Sequence, residues 1–382
     1  MSAQSPHYDY IIAGAGAAGL SLLVQLTRAG LSSHKKILLI DKAPKTLNDR
    51  TWCFWEQGEG PFEEIVFRKW NRLWYHGENF SRLLNVSPYA YKMIRGIDFY
   101  KYCFDIIEEQ KEITVAYGDI TGMYSRGGET GLCLDNRKIT ADKIFSSIYT
   151  QPVLKNREHF LQQHFKGWII KTAEPHFNPQ EATLMDFRVA QRHGTTFVYV
   201  MPFSTTEALV EYTLFTEDLL LPHQYDEGLK DYIKNFLHCP DYQVVEKEFG
   251  VIPMTNYRFP VRQGNIIRIG TAGGQTKASS GYTFRFIQKS TGALLNGLSG
   301  GLLQPSSPSL RYRFYDSVLL NVLATQKAAG ATIFSELFKK NPPHRIFRFL
   351  DNESTLPDDI RLISTLPVWP FLQAGFQEIF RL

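Results

Sequence analysis

At 382 residues with 43% hydrophobic side chains, the chain is long enough for two or three structural units with buried cores, which excludes intrinsic disorder. The 42 basic residues against 38 acidic ones leave a net charge of +4, too small and scattered for a nucleic-acid partner and merely compatible with an anionic membrane surface. Cys53, Cys103, Cys133 and Cys239 fit neither a zinc motif nor a disulfide framework, so free thiols in a reducing compartment are expected and no metal site.

Residues 8–12 read as a short buried strand, 17–29 as a helix, and 36–40 as a second strand ending at Asp41, a βαβ opening. Residues 10–26 are mostly apolar, but nothing basic precedes them, so no signal peptide is expected. Nowhere else does an apolar run reach the roughly 18 residues that a spanning helix needs. An aromatic and charged stretch at 50–75 precedes a helix at 98–109 and β-rich segments to Thr150. Alternation dominates 182–217, with Ser204-Thr205-Thr206 as a hairpin turn, and beyond Gly281 the pattern turns helical. The helical stretch 314–338 is broken by Asn341-Pro342-Pro343, so the C-terminal third reads as an α-helical cap.

Gly14, Gly16 and Gly19 satisfy G-x-G-x-x-G directly between the first strand and the first helix. The first glycine permits the tight turn, the second lets backbone approach a pyrophosphate, and the third allows close helix packing. Asp41 ends the second strand, where its carboxylate can accept hydrogen bonds from an adenosine ribose. The pattern identifies a dinucleotide site, FAD and NAD fitting equally, and leaves the chemistry open.

Asp41-Lys42-Ala43-Pro44 and Arg50-Thr51-Trp52-Cys53-Phe54 resemble the region after the nucleotide loop in lycopene β-cyclases. Ala182-Thr183-Leu184-Met185-Asp186-Phe187-Arg188-Val189, Phe197-Val198-Tyr199-Val200-Met201-Pro202 and Ala208-Leu209-Val210-Glu211-Tyr212-Thr213 then recur in that family's order. Val251-Ile252-Pro253-Met254, Ile269-Gly270-Thr271-Ala272-Gly273-Gly274 and Ser279-Ser280-Gly281-Tyr282 are similar to its later segments. The resemblance implies an α/β fold: a Rossmann-type FAD-binding domain of the flavin-hydroxylase type, an antiparallel-sheet substrate domain and the helical cap. On that reading, residues 1–80, 95–155 and 262–300 bind FAD, 81–94 and 156–261 form the substrate unit, and 301–382 form the helical region.

The resemblance further implies an isomerase that closes β-rings on the linear ψ-ends of lycopene and other ψ-ended carotenoids. Its cofactor is FAD, active when reduced, with NADPH as reductant. Gly270, Thr271, Ala272, Gly273, Gly281 and Tyr282 are implied in flavin contact. Two departures bear on that segment: Lys277-Ala278 stands where many members have His-Pro, and Thr271 stands where flavin hydroxylases have aspartate. Arg95 is a candidate for the pyrophosphate, the alternative being a solvated arginine at a helix start.

Glu211 occupies the essential first acidic position of the family's F-L-E-E-T motif, and Tyr212 replaces the second. On a strand it shares a face with Leu209, Thr213 and Phe215, where desolvation raises a carboxyl's pKa and suits it to donate a proton. The alternative is a surface glutamate. Asp186 ranks second, its bland alternative being a local pair with Arg188. Trp52, Phe54, Trp55 and Tyr89 are candidates to face a carbocation, or plain core.

Lycopene cannot diffuse through water, so the expected location is cytoplasmic and peripheral on a lipid surface, with no obligate protein partner. Residues 345–350 and the tail 369–382 mix apolar and basic side chains as surface-lying helices do; packing against the core is the alternative for each. The rival functions are an NADPH-consuming monooxygenase or polyprenyl reductase and, in another class, a non-catalytic carotenoid-binding flavoprotein.

Overall fold

The structure, a computed structural model, describes residues 5–155 and 157–380. Its first layer is a sheet whose parallel strands run in the order Ile113–Tyr117, Ile37–Asp41, His7–Ala13, Arg137–Ser146 and Ile266–Arg268. Its central strands are continuous apolar runs because both faces are covered, as buried parallel strands require. The helix Ala17–Arg28 packs between this sheet and the helix Phe284–Leu298. The chain leaves His7–Ala13 for a neighbour on one side, while Arg137–Ser146 fills the other. The crevice at that strand's C-terminal end, where order reverses, is where such sheets take ligands.

A second, seven-stranded sheet runs Gln243–Thr255, Phe160–Lys171, Glu207–Thr216, Thr195–Pro202, Glu181–Asp186, Arg72–Gly77, Phe80–Asn85. Strand Arg72–Gly77 pairs in parallel with Glu181–Asp186, so it belongs with this sheet and not, as the expected limit at residue 80 had it, with the dinucleotide sheet. Thr51–Gln57, Tyr89–Arg95 and Arg68–Trp70 form a small third sheet between the two. The hairpin at 203–206 joins Thr195–Pro202 to Glu207–Thr216, with Phe203 N–H donating to Glu207 O at 2.7 Å.

Simple alternation gives way in these two strands, which are buried along nearly their whole length. The helix Pro222–Asn235 covers one face over Val198, Val200, Val210 and Leu214. The helices Leu310–Ala324 and Gly330–Lys340, with Phe187, Phe197 and Phe215, fill part of the other. The stretch expected as one helix is these two, broken at 325–329, and the helix Pro343–Leu350 starts beyond Asn341. In it Ile346 and Phe347 are fully buried and Phe347 stacks on Trp55 at 4.7 Å, while the rest of 345–350 is half-buried, so the segment packs its apolar pair against the core. All four cysteines are unpaired.

Candidate active site

The 14–19 loop is built as the motif requires. Gly14 has φ +106°, and a Cβ on Gly19 would sit 1.9 Å from Gly14 O, so only glycine lets the helix start this close to the strand. Around Gly16 nothing lies within 4 Å of a Cβ, which leaves open space in front of the helix N-terminus. That N-terminus has no side-chain cap and no acid in its first turn, so its amides are free for an anion. Asp41 accepts from Ala15 N–H at 2.6 Å and from Lys42 N–H at 2.7 Å. Lys45 Nζ stands 3.4 Å from Oδ2, and Oδ1 keeps a further lone pair for a ribose hydroxyl. These residues fit a dinucleotide.

The turn Gly270–Gly273 comes next in the crevice: a Cβ on Gly270, at φ +62°, would lie 2.9 Å from the Ala18 Cβ. Thr271 heads a cavity of about 500 Å³ that runs past Gly281 and Tyr282 to Glu211. The structure thus joins the flavin segment to the candidate acid. A larger space of about 630 Å³ adjoins it through Thr271 and Pro253, walled by Lys155, Arg157, Arg258 and Arg313, and does not reach Glu211. Lys277, in the family's His position, is buried, pairs with Asp316 at 2.7 Å and donates to Asn352 Oδ1 at 2.7 Å. It ties the 277–282 loop to the helical cap.

Glu211 is 9% exposed, and Thr213 Oγ1 donates to its Oε1 at 2.8 Å. Burial, reinforced by the neighbouring Glu248 carboxylate, pushes the Glu211 carboxyl well above the usual range, against the pull of Thr213. Leu209, Phe160, Phe165 and Ile252 supply apolar wall, and Tyr199, directly opposite Glu211 across the strands, adds an aromatic face. Tyr91 and Tyr282 meet at 3.3 Å between their hydroxyls, and burial raises both phenols, so they stay neutral.

The other candidates are dispersed. Asp186 lies behind the sheet, fully buried, bound by Arg188 and by Tyr232 Oη at 2.8 Å. An irregularity between Thr183 and Asp186 breaks the alternation, so Asp186 does not share the face of Leu184. Arg95 grips Asp98 at 2.6 Å and covers Phe67, while Arg50, which was not singled out, lines the cavity. Trp52 also lines it, but Phe54 stacks on Phe284, and Trp55 and Tyr89 pack on Phe347 as core. Glu248, Tyr199 and Tyr91 were missed; for Tyr199 the signal was its place opposite Glu211 in the hairpin.

Solved structures share this architecture. A flavoprotein/dehydrogenase from Cytophaga hutchinsonii superposes with TM-score 0.59 at 14% identity over 98% of this chain and all of that one. A geranylgeranyl bacteriochlorophyll reductase-like protein from Thermoplasma acidophilum does so with TM-score 0.56 at 12% identity, over 97% and 96%. The fold is therefore that of the flavin-hydroxylase class, with a glycine-loop dinucleotide crevice opening on a second sheet. A family profile described as lycopene cyclase protein matches residues 9–375, and the chain belongs to that family. It is 23% identical to the lycopene beta-cyclase of Pantoea ananas over 97% of each protein.

Proposed function

We propose that this protein is an FAD-binding lycopene β-cyclase that converts ψ-ends to β-rings without net redox change, Glu211 donating the initiating proton. The observation that carries this reading is a buried carboxyl that burial holds in its protonated form, at the end of a cavity with aromatic and aliphatic wall that begins at the flavin-type segment. A hydrocarbon offers no heteroatom to grip, so the acid must be strong enough at the point of contact and water must be kept away.

Thr213 donates to Oε1 of Glu211, which leaves Oε2 to carry the acid proton. That proton passes to a terminal carbon of the ψ-end alkene, leaving a carbocation. The π pair of the nearby double bond closes the six-membered ring, and loss of a ring proton forms the new double bond. One proton enters and one leaves. The faces of Trp52, Tyr199, Phe160 and Phe165 can stabilise the passing cation. FAD when bound, held by the 14–19 loop and Gly270–Gly273 and reduced by NADPH, supplies negative charge beside that cation.

The helix Val368–Ile379 supports a lipid-surface location. Trp369, Phe376 and Phe380 are 81%, 67% and 77% exposed, with Leu372 beside them at helical spacing. No helix among the described residues is long and apolar enough to cross a membrane. Residues 381–382 of the expected tail lie outside the described residues.

The test is pigment analysis in a lycopene-accumulating host. Wild type should yield cyclic carotenoids; Glu211→Gln should retain flavin and yield none. Stoichiometric NADPH oxidation with lycopene would instead favour a monooxygenase or reductase.

A further inference from the structure

Glu211 has a partner that the family motif does not name. The register sets Glu211 of Glu207–Thr216 and Glu248 of Gln243–Thr255 on either side of the same residue, Gly167 of Phe160–Lys171. Residues opposite one another in a ladder point to the same face, so both carboxyls rise from one side of the sheet. The two backbones are about 9.6 Å apart, two strand spacings, a gap that two glutamate side chains can close only if nothing stands between them. Glycine leaves room above the middle strand: a Cβ at 167 would lie 2.8 Å from Glu248 Cγ, 2.9 Å from Leu209 Cδ1 and 3.0 Å from Glu248 Oε1.

The surroundings of Glu248 are those of a carboxylate kept for a purpose. Thr51 Oγ1, from the strand that brings Trp52 to the cavity, donates to Glu248 Oε2 at 2.7 Å. Burial raises the Glu248 carboxyl too, but less far than that of Glu211, since Thr51 and Glu211 pull it back down. Its Oε1 is buried with no hydrogen-bond partner, and neither it nor Glu211 has an ion pair among the described residues. The titratable groups that face the pair are Cys53, Tyr199 and Tyr282 beside Glu211, with Tyr91 behind them, and Glu246 and Arg50 beside Glu248. Burial keeps the thiol and the three phenols neutral, so near neutrality the cluster's proton transfer falls to the two carboxyls.

We propose that Glu248 is the positioning residue of Glu211: the two share one proton across Gly167, with Glu248 ionised against Thr51 and the proton held on Glu211 until the alkene takes it. Once the proton has moved to the substrate carbon, two negative charges lie beside the carbocation. The proton released from the ring passes to solvent, from which the pair takes its proton for the next ring. This deepens the proposed function and rests on Glu211 being its acid.

Glu248→Gln keeps the size and the acceptor for Thr51 but removes the charge. Infrared titration of the flavoprotein without lycopene, with Glu211→Gln as the reference, follows the carboxylic-acid C=O band of Glu211. In Glu248→Gln that band should vanish at least one pH unit lower than in wild type, a tenfold loss of proton affinity. The alkaline limb of cyclisation should fall by the same amount. Thr51→Val, which removes the group that keeps Glu248 ionised, should draw the shared proton toward Glu248 and weaken the Glu211 band on its acid plateau, and it covers the case in which Glu248→Gln does not fold. Identical titrations in all three proteins would overturn the pairing. If the band shifts but wild type never cyclises lycopene, the functional reading fails while the pair stands.

Discussion

Substituting Gly16 separates ligand binding from folding in a way the neighbouring glycines cannot. Gly16 has φ −86° and ψ −171°, extended backbone that any residue adopts, and an added Cβ would meet no protein atom within 4 Å. In the apoprotein two small effects oppose: an unfolded chain with less freedom adds about 0.4–1 kcal/mol of stability, and alanine is the poorer N-cap, by a comparable fraction of about 1 kcal/mol. They nearly cancel, so Tm of apo Gly16→Ala should stay within about 2 °C of wild type. With a dinucleotide present, the methyl occupies the space where backbone and pyrophosphate meet. Overpacking of about 1–3 kcal/mol corresponds to roughly 5- to 150-fold weaker binding. Titration of apoprotein with FAD, read by quenching of flavin fluorescence, gives Kd directly. Gly19→Ala is the control that fails both ways, since its Cβ would meet Gly14 O at 1.9 Å and displace the helix. Wild-type FAD affinity in Gly16→Ala would refute the assignment of this crevice to the pyrophosphate.

The raised carboxyl also predicts a pH dependence of stability. Folded Glu211 binds its proton more tightly than the unfolded chain does, so wild-type stability is greatest below the unfolded carboxyl value and falls as pH rises through the folded one. Glu211→Gln should therefore give a flatter curve and overtake wild type on the alkaline side, measured by urea unfolding across pH; parallel curves would contradict this. Phe347→Ala, at a fully buried ring stacked on Trp55, should cost about 3–5 kcal/mol, read from the same urea midpoints. Replacing Trp369 and Phe376 together by serine should leave those midpoints within about 1 kcal/mol, since both rings are largely exposed, and should release the protein from co-sedimenting lipid vesicles. Retained vesicle binding would remove that helix from lipid contact.

What the sequence made legible was what chain neighbours decide. The 14–19 loop, its strand and its helix follow from local glycine and apolar patterning, and Glu211 from its place in the family's acidic motif, on a strand whose preceding turn is written at 204–206. What it hid depends on partners far along the chain. Glu248 stands in the edge strand Gln243–Thr255, whose charged alternation reads as solvent-facing. Its Oε1 is buried all the same, and the hydrogen bond that holds its Oε2 comes from Thr51, almost 200 residues earlier. Asp186 shared the apolar pattern of its strand, and only an irregularity in pairing turned it to the other side. Trp55 and Tyr89 had the composition of a cavity wall, but Phe347 of the C-terminal region covers them.

The central claim is that a protein carboxyl gives a proton to a hydrocarbon and nothing else is added. It is tested most directly by running the reaction in D2O with FAD reduced in advance and weighing the carotenoid formed. Protonation by an exchangeable acid predicts one deuterium for each ring closed, no oxygen gained, and no labelled product from Glu211→Gln. A ring formed without deuterium, or a product heavier by oxygen or by two hydrogens, would contradict the account.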